Sequence, residues 1–240
     1  LGRVANAVWT WGLALAAGGR VLLRIEDHDR GRCRPAFEAA ILADLEWLGL
    51  EPEAGSRASL QSRSLFRQSD CGVRYQEALA HLEAGRPGPG ALGAVYHCEC
   101  SRRTIAGAQR GFLPGEEPRY PGTCRHRGLG AQGGRGVRAV LPDGPVFFDD
   151  LIHGPQMQTP SQQCGDLLVR DSLGNWTYQF AVVADDLAHG VDLVVRGDDL
   201  LDSTGRQILL GELLGREQPP VFLHHPLIFG GTGAKLSKRD

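Results

Sequence analysis

Two thiols stand one residue apart in Val95-Tyr96-His97-Cys98-Glu99-Cys100-Ser101, and a third, Cys124, follows in Arg119-Tyr120-Pro121-Gly122-Thr123-Cys124-Arg125-His126. A Cys-x-Cys pair with another Cys and a His nearby fits tetrahedral zinc, which accepts thiolate and imidazole and holds the thiols deprotonated. The residues between are rich in Gly and Pro and short of apolar side chains. A segment of that kind cannot order itself by burial alone, and a metal would supply the missing stabilisation. His126 is the chemically orthodox fourth ligand; Tyr120, four residues before Cys124, is the unusual one. The alternative is three unrelated thiols in a loop. Cys33, Cys71 and Cys164 are scattered and read as small buried residues.

Three further stretches could do chemistry. "GAKLSKRD" sets Lys235 and Lys238 three apart in a Gly-rich loop. Two mobile cations around a hydroxyl suit a polyphosphate whose charge grows as a bond breaks. The P-loop order is absent, and taken alone such a loop is a solvated tail. "LGR" opens the chain at a helix start, where the backbone N–H groups around Gly2 favour phosphate. "RIEDHDR" collects Glu26, Asp27 and Asp29, which could hold a substrate amine or form a solvated acidic turn.

The elements that must position these residues alternate. Arg3 to Ala17 reads as a helix closed by Gly18-Gly19. "RVLLRIED" is an apolar run of strand length. Pro35 suits a first helical turn, and Phe37, Ile41, Leu45 and Leu48 recur at helical spacing. A further helix around Tyr75, Leu79 and Leu82 runs into the breaker-rich "GRPGPGALG", which reads as a linker. From about Val95 to Pro160 the chain turns irregular. "LLVRD", "YQFAVVADD" and "VDLVVRGDD" then read as strands, and "STGRQILLGELLG" as a helix with Ser203 as its N-cap. Strand–helix alternation around an irregular middle predicts an α/β fold interrupted by an inserted subdomain.

A net charge of −2 over 240 residues gives no support to nucleic-acid binding by bulk charge, so any such contact would be local. The sequence has neither an apolar run of membrane-spanning length nor an export signal at its start. The expectation is a cytoplasmic chain with six reduced or metal-bound cysteines.

In order along the chain, "LGR", "LLRIEDHDR", "VVRGDDLLDSTGRQ" and "KLSKR" resemble the glutamate branch of the class I aminoacyl-tRNA synthetases. "LGR" is similar to the remnant of that family's HIGH motif and "KLSKR" to its KMSKS loop. "CEC…YPGTC", "QCGDLLVRD" and "NWTYQFAVVADD" are most similar to the branch's short paralogues, which glutamylate the queuosine base of tRNA(Asp). The resemblance runs over nearly the whole chain. It implies a Rossmann-type parallel sheet with an inserted, zinc-bearing, acceptor-binding subdomain. Residues 1–94 would form the first half of the catalytic domain, 95–160 the insertion, and 161–240 the second half with the KMSKS-type loop. The family's first strand, which carries an Arg, a Ser and the first HIGH histidine, is expected upstream of Leu1.

By the same resemblance, Glu26, Tyr178 and Arg196 match contacts to substrate L-glutamate, and Lys238 matches the loop lysine that contacts ATP, with Lys235 beside it. Gly2 marks the helix start facing the phosphates. Cys98, Cys100, Tyr120 and Cys124 match the paralogues' zinc ligands, while ordinary zinc-bearing glutamyl-tRNA synthetases use a Cys-x-His pair, which keeps His126 in play. Without the resemblance, Arg196 would read as a surface residue facing Asp198 or Asp199, and Tyr178 as a half-buried strand aromatic. His28, His224 and His225 read as structural. The implied activity is glutamate activation with ATP and Mg2+, without tRNA, followed by transfer to tRNA(Asp) bearing queuosine, by a monomer. Two alternatives remain: a truncated discriminating glutamyl-tRNA synthetase charging tRNA(Glu), and a non-catalytic zinc-bearing tRNA-binding protein.

Overall fold

The computed structural model describes residues 2–28, 33–85, 95–107 and 118–229. The expected linker after Gly85, Asp29, and the loop carrying Lys235 and Lys238 lie outside these residues.

Helix α1 spans Gly2–Ala17, α2 Pro35–Trp47 with its proline at the first turn, and α3 Gly72–Ala84. The α3 face that repeats at helical spacing buries Tyr75, Leu79 and Leu82. Between α1 and α2, "RVLLRIED" departs from the expected strand. Its backbone runs beside loops: Leu23 N–H donates to Ala54, Ile25 N–H donates to Phe66, and the Ile25 carbonyl accepts from Gln68. These peptide groups are satisfied, but only isolated bridges form, because no neighbouring segment is extended far enough to make a ladder.

Two sheets follow. In one, β1 (Val95–Cys98) pairs antiparallel with β2 (Gly136–Ala139), and β2 pairs with β5 (Leu167–Arg170). The other runs in the order β4 (Gly154–Gln158), β3 (Val146–Asp150), β7 (Val221–His225), β6 (Leu193–Gly197). Here β3, β7 and β6 are parallel, and β4 is the antiparallel edge, so the sheet is mixed. Pairing crosses residue 160 in both directions: β5 joins the sheet of the cysteine segment, and the β3–β4 hairpin joins the sheet of the later half.

The parallel pair β6–β7 needs a crossover, supplied by a 3-10 helix at Asp198–Ser203 and α7 (Thr204–Leu213). Ser203 does not cap α7 with its side chain. The preceding 3-10 turns hold Ser203 in a helical conformation, and its hydroxyl accepts from Gln179 instead. "YQFAVVADD", expected as a strand, is helix α6 (Tyr178–Ala188). An apolar run without alternation fits either state. Here Phe180, Val183, Ala184 and Leu187 fall on one helical face, and the element buries six consecutive residues from Phe180 to Asp185. The main core gathers α3, α6, α7 and both sheets around Phe180, Val169, Leu210 and Phe222. Cys98, Ile105, Tyr120 and Cys124 form a separate small cluster, with Ile105 from the short helix α4 (Arg102–Gly107).

Strands β3, β6 and β7 end together, so Asp150, Arg196 and His224 meet at the carboxyl edge of the parallel sheet, where open α/β sheets bind ligands. Asn6 ties α1 to that edge by donating to the Val195 carbonyl at 3.1 Å.

Candidate functional site

Arg196 is 6% exposed, and its hydrogen bonds all go to uncharged or amphoteric side chains. Its Nε donates to His224 Nε2 at 2.9 Å, one terminal nitrogen to Gln207 Oε1 at 2.5 Å, and the other to Thr204 Oγ1 at 2.9 Å. Among the described residues none goes to a carboxylate, so the pairing with Asp198 or Asp199 that Arg196 would suggest without the resemblance is not made. Burial lowers its guanidinium from the ordinary value, against the charges of Tyr178 and Asp186. A buried cation of this kind is costly unless an anion completes it.

Tyr178 opens α6 and lies within electrostatic reach of Arg196 and Glu26. Burial, with the Glu26 charge added, pushes its phenol up to about 12. Glu26 is half exposed and accepts from Arg24 at 2.9 Å. The structure thus brings Glu26, Tyr178 and Arg196 within electrostatic reach of one another. Gly2, at the exposed start of α1, belongs to the helix that Asn6 fastens to the same sheet edge.

Beside these residues lies a charge network that the sequence pattern did not reveal. Arg24 donates to Asp186 at 2.6 Å. Burial alone would lower the Arg24 guanidinium, but Asp186 and Glu26 hold it above its ordinary value. Asp185, fully buried, accepts from Arg74 at 2.5 Å, Tyr75 at 2.8 Å and Gln68 at 3.0 Å. The acidic doublet Asp185-Asp186 inside an apolar helix was the available signal, hidden once that helix read as a strand. Asp27, a candidate for the substrate amine, is taken by Ser69 N–H at 2.8 Å and Ser69 Oγ at 2.7 Å. His28 meets Gln68 at 2.7 Å.

At the other site, the sulfurs of Cys98, Cys100 and Cys124 lie within 4.8 Å of one another, with Cys100 and Cys124 at 3.6 Å. Zinc–sulfur bonds of about 2.3 Å in a tetrahedron separate sulfurs by roughly 3.8 Å, so the spacing suits that ion. The Tyr120 hydroxyl is 3.4 Å from Cys98 Sγ and accepts the Cys124 N–H at 2.8 Å. Arg138 stacks over the Tyr120 ring at 3.7 Å and donates to Cys98 Sγ at 3.3 Å. Burial would raise the Cys124 thiol, but bonds from the Glu99 backbone and Tyr120 bring it down to about 7. Burial and the neighbouring sulfurs push Cys100 up to about 11. Cys124 therefore gives up its proton more readily than Cys100. His126 is exposed and stands outside this cluster. Gly165 fixes the turn beneath it: at φ +69° its backbone presses so close that a Cβ would sit 2.1 Å from the Tyr120 carbonyl oxygen.

The fold and this pair of sites define a class. Residues 1–240 match the description "tRNA synthetases class I (E and Q), catalytic domain", and the chain belongs to that family. It is similar to the glutamyl-Q tRNA(Asp) synthetase of Symbiobacterium thermophilum, 44% identical over the whole of this chain and 74% of that protein. The protein of the same name from Nitratidesulfovibrio vulgaris is 43% identical, again over the whole chain and 74% of the relative. A crystal structure of a glutamate tRNA ligase from Elizabethkingia meningosepticum, in complex with its amino acid, superposes with a TM-score of 0.79 at 26% identity. That match covers the whole chain and 49% of the ligase, so the chain spans about half of that structure.

Proposed function

We propose that this chain activates L-glutamate with ATP and passes the glutamyl group to the queuosine base of tRNA(Asp). The observation that carries the reading is Arg196: a buried guanidinium whose hydrogen-bond partners among the described residues are uncharged, at the carboxyl edge of the parallel sheet, beside Glu26 and Tyr178. The α-carboxylate of glutamate must stay free to react, so Arg196 grips the side-chain carboxylate while Glu26 and Tyr178 orient the ammonium. Held this way, the α-carboxylate oxygen attacks the α-phosphorus of ATP. A carboxyl–phosphorus bond forms, the α–β bridge breaks, and pyrophosphate leaves. The start of α1 at Gly2 and the Lys235/Lys238 loop stabilise the phosphate charge. Magnesium would accompany ATP as its usual counterion. The acceptor hydroxyl then attacks the glutamyl carbonyl and AMP leaves.

Cys98, Cys100, Tyr120 and Cys124 would hold a structural zinc, and four protein ligands leave no open position for chemistry. The sheet of β1, β2 and β5 would carry the acceptor end of the tRNA. We take the protein to act as a cytoplasmic monomer. The similarity to a glutamate tRNA ligase supports a second reading, charging of tRNA(Glu).

Glutamate-dependent ATP–pyrophosphate exchange without tRNA, followed by transfer of labelled glutamate to tRNA(Asp) with and without queuosine, tests the proposal. Exchange unaided and labelling only of queuosine-bearing tRNA(Asp) is expected. Exchange that requires tRNA(Glu) would replace it with the second reading.

A further inference from the structure

Arg196 does not hold itself in place. Its Nε donates to His224 Nε2, and His224 Nδ1 lies 2.7 Å from Asp150 Oδ2. All three side chains are buried, Asp150 at 2%, His224 at 0% and Arg196 at 6% exposure. The chain of contacts fixes every proton along it. A guanidinium is donor-only, so Nε2 must be a bare lone pair, and Nδ1 must carry the hydrogen it gives to Asp150. A second proton on His224 would set N–H against N–H and push the arginine away.

Asp150 is itself pinned. Its Oδ1 accepts the N–H groups of Ile152 and His153 at 3.0 Å each, and Oδ2 accepts the His224 N–H at 3.0 Å. Despite burial, these bonds and that of His224 hold its carboxyl below the usual range. Asp150 belongs to β3, His224 to β7 and Arg196 to β6, so the relay runs across the three parallel strands.

We propose that His224, fixed in its Nδ1–H tautomer by Asp150, is the positioning residue for the glutamate-gripping arginine. The imidazole keeps the Asp150 charge one ring away from Arg196, where a direct ion pair would satisfy the guanidinium and compete with substrate. Of the five guanidinium N–H groups, three are spent on His224, Gln207 and Thr204. One remains on each terminal nitrogen, the pair a carboxylate can take in two parallel bonds. Besides Asp150 and Arg196, the groups facing His224 are the Thr204 hydroxyl at 3.2 Å and the more distant Asp198 charge.

This inference rests on Arg196 as the glutamate grip, and its test separates the two. In the full-length protein, nitrogen-15 NMR of labelled histidine should show a protonated Nδ1 and a bare Nε2 for His224 at neutral pH. A protonated Nε2 overturns the relay whatever the enzyme does. In pyrophosphate exchange, His224→Asn keeps a group at the Nδ1 position but loses the acceptor for Arg196. His224→Gln reaches the Nε2 position. His224→Asn should raise the KM for glutamate roughly tenfold to a hundredfold while the KM for ATP stays within about twofold. His224→Gln should recover part of that loss. Equal glutamate KM values in both variants, or glutamate and ATP KM values rising together, would reduce His224 to a packing residue. If the unaltered protein shows no glutamate-dependent exchange, the functional reading falls while the tautomer result still stands or fails alone.

Discussion

The thiol cluster and the Arg196 site are built in opposite ways. The cluster takes its donors from two short stretches, 98–100 and 120–124, and backs them with a small group, Ile105, Tyr96, Leu129 and the stacked Arg138. The Arg196 site draws Glu26, Tyr178 and Arg196 from three distant segments and rests on the main core. A site made of neighbouring residues on a thin support depends on what it binds for its order. A site assembled from distant elements inherits its order from the fold and can spend its binding energy on substrate.

That contrast can be broken at several points. The largest effect should come from Asp185→Asn, which leaves Arg74 facing a neutral amide in a buried network. A loss of about 3–5 kcal/mol of stability is expected by denaturant titration, and a loss under 1 kcal/mol would mean the Arg196 site does not rest on this network. Arg196→Lys comes next. The fold should survive while glutamate-dependent exchange falls about a hundredfold, because an ammonium cannot reproduce the planar fork. Activity within a fewfold of the original would remove Arg196 from the grip. At the other site, Tyr120→Phe should weaken zinc retention about tenfold in a chelator competition, and His126→Ala should leave it unchanged. The reverse ranking would install His126 as the ligand. Chelation should open residues 95–139 to protease before it abolishes exchange.

The smallest effect is a pH dependence. Burial lowers the His224 imidazole below its ordinary value, partly offset by Asp150. The unfolded chain therefore binds the proton more readily, and this contribution is intact above the ordinary imidazole range. It is lost as pH falls through about 6.5, with a slope of at most about 1.4 kcal/mol per pH unit for one proton. His189 acts in the same direction and His153 in the opposite one. Stability curves of the parent and His224→Asn should converge toward low pH. Parallel curves would mean that His224 stays neutral throughout.

The same contrast explains what could be read from sequence. α1, α2 and α3 announced themselves by apolar spacing and by Gly or Pro at their ends, and the Cys-x-Cys pair marked a cluster whose members are chain neighbours. α6 did not, because the unbroken buried run from Phe180 to Asp185 masks the helical spacing of Phe180, Val183, Ala184 and Leu187. Misreading it hid Asp185 and Asp186 as partners of Arg24 and Arg74. "RVLLRIED" has strand composition, but whether a run becomes a strand depends on an extended neighbour, which no local pattern records. The Asp150–His224–Arg196 line could not be read at all, since register across three strands places these residues together. Its histidine looked structural, and the structure gives that word a definite object.

Gly165 carries a last consequence. It offers no donor, acceptor or charge, yet the Tyr120 carbonyl occupies the space that any side chain would need. Any side chain at this position is therefore shut out, by volume and by a backbone φ of +69° that side chains disfavour. Even with every cysteine replaced, this glycine would still be needed until the Tyr120 backbone itself was rerouted.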